Sequence, residues 1–81
     1  MVRTTFSYRE VLKVLTSHGF VPVGGTGSHT TLRYENADTG EVRTVTVPKN
    51  DPIRTGTLQA IAEQAGADDF HAFCEWVDQK C

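Results

Sequence analysis

The chain is 81 residues long, with three histidines, two cysteines and a net charge of −2, so it has room for one small core rather than several domains. No apolar run is long enough for a membrane span, the N-terminus has no signal-peptide pattern, and Cys74 and Cys81 do not make a disulfide scaffold. The expectation is a single reduced, cytoplasmic domain, too weakly charged for strong non-specific nucleic-acid binding.

The charge is unevenly spread. Residues 1–60 hold seven basic and five acidic side chains, net +2, whereas residues 61–81 hold one and five, net −4. A mildly basic region suits contact with a short stretch of phosphate backbone. An ordinary solvated surface would look the same.

Ser7-Tyr8-Arg9-Glu10 reads as a capping box, with Ser7 at the N-cap and Glu10 three residues on. Tyr8, Val11, Leu12 and Leu15 follow at helical spacing, predicting a helix over residues 7–18. Gly19 suits the left-handed position after it, and Phe20 would fold back onto Leu15. Residues 20–23 predict a short strand, and Pro22 assigns it to an edge or a bulge. Gly24-Gly25-Thr26-Gly27 reads as a turn, with Gly27 supplying the tight bend. From Ser28 to Glu35 the pattern has period two. Thr30, Leu32 and Tyr34 face a core, while His29, Thr31, Arg33 and Glu35 line an open face, with Arg33 beside His29.

Residues 36–40 predict a hairpin loop, and the β-branched run 42–47 a third strand stopped by Pro48. Residues 48–54 form a loop carrying Lys49, Asn50 and Arg54. Thr55 is the expected cap of a second helix to about Gln64, with Leu58, Ile61, Ala62 and Ala65 as its stripe and Gly66 as its stop. A last helix over about 68–79 places Phe70, Phe73, Cys74 and Val77 on one stripe. Trp76 lies off that stripe, at a packing edge or an interface. The expected fold class is α+β. Its order is α-β-β-β-α-α, a three-stranded antiparallel sheet with helices on one face.

Of the three histidines, His18 sits at a helix end, where a cation is favoured by exposed carbonyls, and His71 at the surface in the first turn of the last helix. His29 follows a glycine turn and points away from the apolar face. An imidazole there can take and give protons near neutral pH without a metal. Ser28 adjoins His29, and neighbours on a strand point to opposite faces, so a Ser-His-Asp triad is not expected. Cys74 and Cys81 have no Cys/His pair at zinc spacing, so neither a metal site nor a cofactor is expected. Phosphate contact is the better option. Backbone amides around Gly27 and Ser28 could reach a phosphate, as could those of Gly56 and Thr57 at a helix start. For Gly24 and Gly25 the expectation is plain turn chemistry.

Taken together, the helix end His18-Gly19-Phe20, the run Gly27-Ser28-His29, the strand end Val45-Thr46-Val47-Pro48, and Gly56-Thr57-Leu58 followed by Ile61 and Ala65-Gly66 resemble the HicA family of small toxins. The resemblance runs from about Ser7 to Gly66. It implies a double-stranded-RNA-binding-domain-like α-β-β-β-α fold spanning a single domain, with residues 67–81 adding a C-terminal helix. It also implies a metal-independent endoribonuclease that cuts mRNA and is neutralised by a HicB-type antitoxin. His29 would be catalytic, and Gly27, Ser28, Arg33, Lys49, Arg54 and Thr57 would contact RNA. Two features depart from the family pattern. Many members carry a histidine where this chain has Asn50, and members are usually basic. A non-catalytic RNA-binding module or a protein-interaction domain on the same fold is the alternative.

Overall fold

A computed structural model describes residues 3–80, so Cys81 lies outside the described residues. The element order is α1 (Tyr8–His18), β1 (Val21–Gly25), β2 (His29–Asn36), β3 (Glu41–Pro48), α2 (Thr55–Gln64) and α3 (Phe70–Lys80). This is the expected α+β arrangement: a three-stranded antiparallel sheet in the order β1-β2-β3, with an extra C-terminal helix.

The ends of α1 are set locally. The Ser7 hydroxyl accepts from the Glu10 amide at 3.1 Å, and the Glu10 carboxylate accepts from the Ser7 amide at 2.8 Å, completing the capping box. At the other end Gly19 takes φ +112°, letting the Gly19 and Phe20 amides return to Thr16 and Leu15. His18 stands in the last turn, as expected. Its ring also packs on Tyr34 and, edge-on, against Trp76, with centroids 5.6 and 5.2 Å away. Trp76 is therefore a packing edge, half-buried against His18 and Phe73.

β1 is an edge strand, exposed throughout and bulged between Pro22 and Gly24. It runs two residues further than expected: Gly24 and Gly25 pair with Thr31 and Thr30, so they are strand and not turn. β2 and β3 pair without interruption from Asn36↔Glu41 to His29↔Pro48. Their alternation sends Leu32, Val45 and Val47 inward and leaves His29, Arg33, Glu35, Thr44 and Thr46 exposed. The helices cover the inward face. Val11, Val14 and Leu15 of α1, Leu58, Ile61 and Ala62 of α2, and Phe73, Cys74 and Val77 of α3 bury there with Phe6, Phe20 and Ile53. Burial pushes the Cys74 thiol above its ordinary range, so it behaves as a core side chain.

The start of α2 differs from expectation. Arg54 occupies the N-cap without a side-chain cap, and Thr55 is already helical. The Thr55 hydroxyl donates instead to the Thr4 carbonyl at 3.2 Å, tying the helix to the N-terminal segment. That segment also bridges the loop after β3, since Ile53 N–H donates to Phe6 C=O. Gly66, at φ +88°, ends α2 and leaves room for the Arg43 guanidinium.

Candidate functional site

His29 opens β2 at the end of the sheet where β3 finishes and α1 begins. Three elements converge on it. Its strand partner is Pro48. The ladder runs one step beyond that pair, because Lys49 N–H donates to the Ser28 carbonyl at 2.8 Å. Tyr8, in the first turn of α1, bonds its hydroxyl to Thr30 Oγ1 and its amide to Asp51 Oδ1. Ser28, His29 and Lys49 are therefore fixed as neighbours by backbone bonds, and the first turn of α1 is pinned beside them.

The turn that delivers His29 is built differently from expectation. Gly27 and Ser28 form its tip, closed by Thr26 N–H donating to the His29 carbonyl at 2.9 Å. Gly27 has no positive φ, and a Cβ there would meet nothing within 4 Å. The glycine required sterically is Gly25. It has φ +140°, and a Cβ on it would run into the His29 carbonyl oxygen and lie 3.0 Å from Thr30 Cα. Plain turn chemistry does not describe this position. Gly25 is a strand residue packed against the backbone of the candidate catalytic residue.

Ser28 was expected to point away from His29, but its Oγ lies 2.9 Å from His29 Nδ1. The face-alternation rule applies within a strand, and Ser28 precedes the strand. The hydroxyl continues to Thr26, with Ser28 Oγ 3.3 Å from Thr26 Oγ1 and the Ser28 amide donating to that same oxygen. Two of the turn's amides, those of Thr26 and Ser28, are thus already used within the turn.

The other candidate residues divide. Lys49 is exposed beside the His29 turn. Arg33 is not beside His29. It stands four residues along β2, about 14 Å away at strand rise, and its Nε pairs with Glu35 Oε1 at 2.6 Å. Arg54 is exposed at the start of α2, and Thr57 is half-buried in that helix's first turn. Asn50 is exposed in the loop after β3. Sequence reading missed Thr26 and Tyr8. The signal for Thr26 was its hydroxyl two residues from Ser28. Tyr8 carried none, since its partners lie 22 and 43 residues away.

An α-β-β-β-α frame with an exposed histidine at the end of its central strand defines a small α+β protein of the double-stranded-RNA-binding-domain-like kind. The family model described as "HicA toxin of bacterial toxin-antitoxin" matches residues 8–67, about three-quarters of the chain, and the chain belongs to that family. No curated protein and no solved structure matches it. The matched span covers His29 and everything bonded around it, and stops before α3.

Proposed function

We propose that this toxin-family protein is a metal-independent endoribonuclease that cuts mRNA in the cytoplasm and is neutralised by a HicB-type antitoxin. The observation that carries the reading is the placement of His29. Its side chain is exposed at the end of the open sheet face, its carbonyl accepts from Thr26 N–H while the preceding Ser28 carbonyl accepts from Lys49 N–H, and Nδ1 is hydrogen-bonded while Nε2 has no partner among the described residues.

The chemistry uses what RNA itself offers. A base removes the proton of a ribose 2′-hydroxyl, and the 2′-oxygen bonds to the adjacent phosphorus. The bond from phosphorus to the 5′-oxygen breaks, and an acid protonates that leaving oxygen. The products are a 2′,3′-cyclic phosphate and a 5′-hydroxyl end. His29 supplies one of the two proton transfers. Lys49, adjacent through its bond to Ser28, stabilises the charge that builds on the phosphate. Gly27, with open space around it, lets the RNA backbone approach the turn, and Arg33, Arg54 and Thr57 hold flanking phosphates.

The test is cleavage of a mixed single-stranded RNA in EDTA by wild type and His29→Ala. Wild type cleaves, and the variant loses about 10²–10⁴-fold in rate, the range for removing a general acid or base. Cleavage by both proteins alike would remove His29 from the chemistry. Asn50, where many family members carry histidine, favours as second reading a binding module on this fold. RNA retained by the wild type without cleavage would establish it.

A further inference from the structure

The hydroxyls of Thr26 and Ser28 form a chain that ends on one nitrogen of His29. Ser28 Oγ lies 2.9 Å from Nδ1 and 3.3 Å from Thr26 Oγ1. The Ser28 amide donates to Thr26 Oγ1 at 3.3 Å, so the turn's own backbone anchors the far end of the chain. We infer that Ser28, backed by Thr26, is a positioning residue that holds the His29 ring by Nδ1 in every protonation state and leaves Nε2 as the nitrogen that transfers protons.

A hydroxyl has one proton to donate and two lone pairs to accept with. When Nδ1 is bare, Ser28 donates to it and accepts from the Thr26 hydroxyl, and Nε2 carries the ring proton. When Nδ1 carries the proton, it donates to Ser28, whose hydroxyl turns to donate to Thr26, and Nε2 is bare. In the imidazolium, Nδ1–H again donates to Ser28. All three forms satisfy Nδ1 with no heavy atom moving, because only two hydroxyl hydrogens rotate. A carboxylate in Ser28's place could only accept, and would favour the forms with a proton on Nδ1. The hydroxyl pair is neutral toward the two neutral forms, which suits a group that must be bare before a proton transfer and protonated after it.

The ring's base is held as firmly as its tip. The His29 carbonyl accepts from Thr26 N–H, the Ser28 carbonyl accepts from Lys49 N–H, and Gly25 packs directly under the His29 carbonyl. Backbone and Nδ1 together determine where Nε2 stands. Ser28 is exposed, so removing its hydroxyl costs little of the fold.

This inference rests on the ribonuclease reading for its consequence in rate, but its geometry is tested separately. Two-bond ¹H–¹⁵N correlation spectra of the imidazole report which ring nitrogen is engaged. Wild type and Ser28→Thr should show a hydrogen-bonded Nδ1 at His29, and Ser28→Ala should lose that signature at unchanged melting temperature. In RNA cleavage, Ser28→Ala should lower kcat about tenfold or more, with KM little changed, and Ser28→Thr should restore it. Identical His29 spectra in wild type and Ser28→Ala would overturn the inference, whether or not the protein cleaves RNA. Altered spectra with an unchanged kcat would overturn the positioning role. Failure of the wild type to cleave would instead count against the ribonuclease reading, and the spectra would still decide the hydrogen bond.

Discussion

A methyl group at Gly25 would run into the His29 carbonyl oxygen at a backbone angle of φ +140° that L side chains rarely adopt. Gly27, two residues on, has open space around it and no positive φ. The two glycines should therefore respond oppositely to alanine. Gly25→Ala should cost about 2 kcal/mol or more through strain and a displaced His29 backbone. Gly27→Ala should stay within about 0.5 kcal/mol. Urea denaturation of the two variants checks this, and equal losses would mean that the turn is not gripped where Gly25 meets His29. The sequence points to the wrong glycine for a physical reason. Gly27 stands next to Ser28 and His29 and looks like the bend, whereas the need for Gly25 comes from a carbonyl four residues away, brought back by the hairpin. The Ser28–His29 contact is hidden similarly, because whether neighbours share a side depends on where the strand begins. His29 itself is readable, since the period-two pattern of residues 29–35 sends it outward without knowledge of its partners.

Elements bounded by short-range bonds are the ones the sequence reveals best. The capping box of α1 spans three residues, and the bonds that end the helix span no more than five, so both ends follow from local spacing. The start of α2 is bounded at longer range. The hydroxyl of Thr55 finds Thr4, 51 residues away, and Arg54 is left at the cap. The local device of α1 makes a quantitative prediction. Ser7→Ala should destabilise the protein by about 1 kcal/mol, a fall in melting temperature of about 4–8 °C for a domain of this size. Its partner adds a pH dependence. The Ser7 amide, followed by Arg3, holds the Glu10 carboxyl below its ordinary value. A carboxyl lowered in the folded state contributes stability that is full above its unfolded value, and loses it as pH falls through the folded value. Glu10→Ala should therefore melt below wild type at pH 7, and the gap should narrow as pH falls below about 4.5. A gap that stayed constant down to pH 2 would show that the charge on Glu10 contributes nothing.

The family match ends at residue 67, yet the hydrophobic core does not. Phe73, Cys74 and Val77 of α3 are 4%, 0% and 0% exposed, in one cluster with Val11 and Leu15 of α1 and Ile61 of α2. Trp76 closes over His18, and Asp78 pairs with Arg3, which also reaches Glu10. The acidic C-terminal segment is thus built into the fold through its apolar stripe, while its charges face solvent. Burying a Val or Phe side chain contributes about 1.5–3 kcal/mol, so Phe73 and Val77 alone amount to about 3–6 kcal/mol. A small domain has a total stability of only about 5–15 kcal/mol. A chain ending at Ala67 should therefore lose most or all of its cooperative folding, although it keeps His29, the turn and the whole family-matched span. Circular dichroism melts of that chain beside the full one check this. A sharp transition within a few degrees of the full chain would make α3 an accessory. Loss of the transition would mean that the part of the molecule that orients His29 is held together by a helix that supplies none of the residues proposed for catalysis or RNA contact.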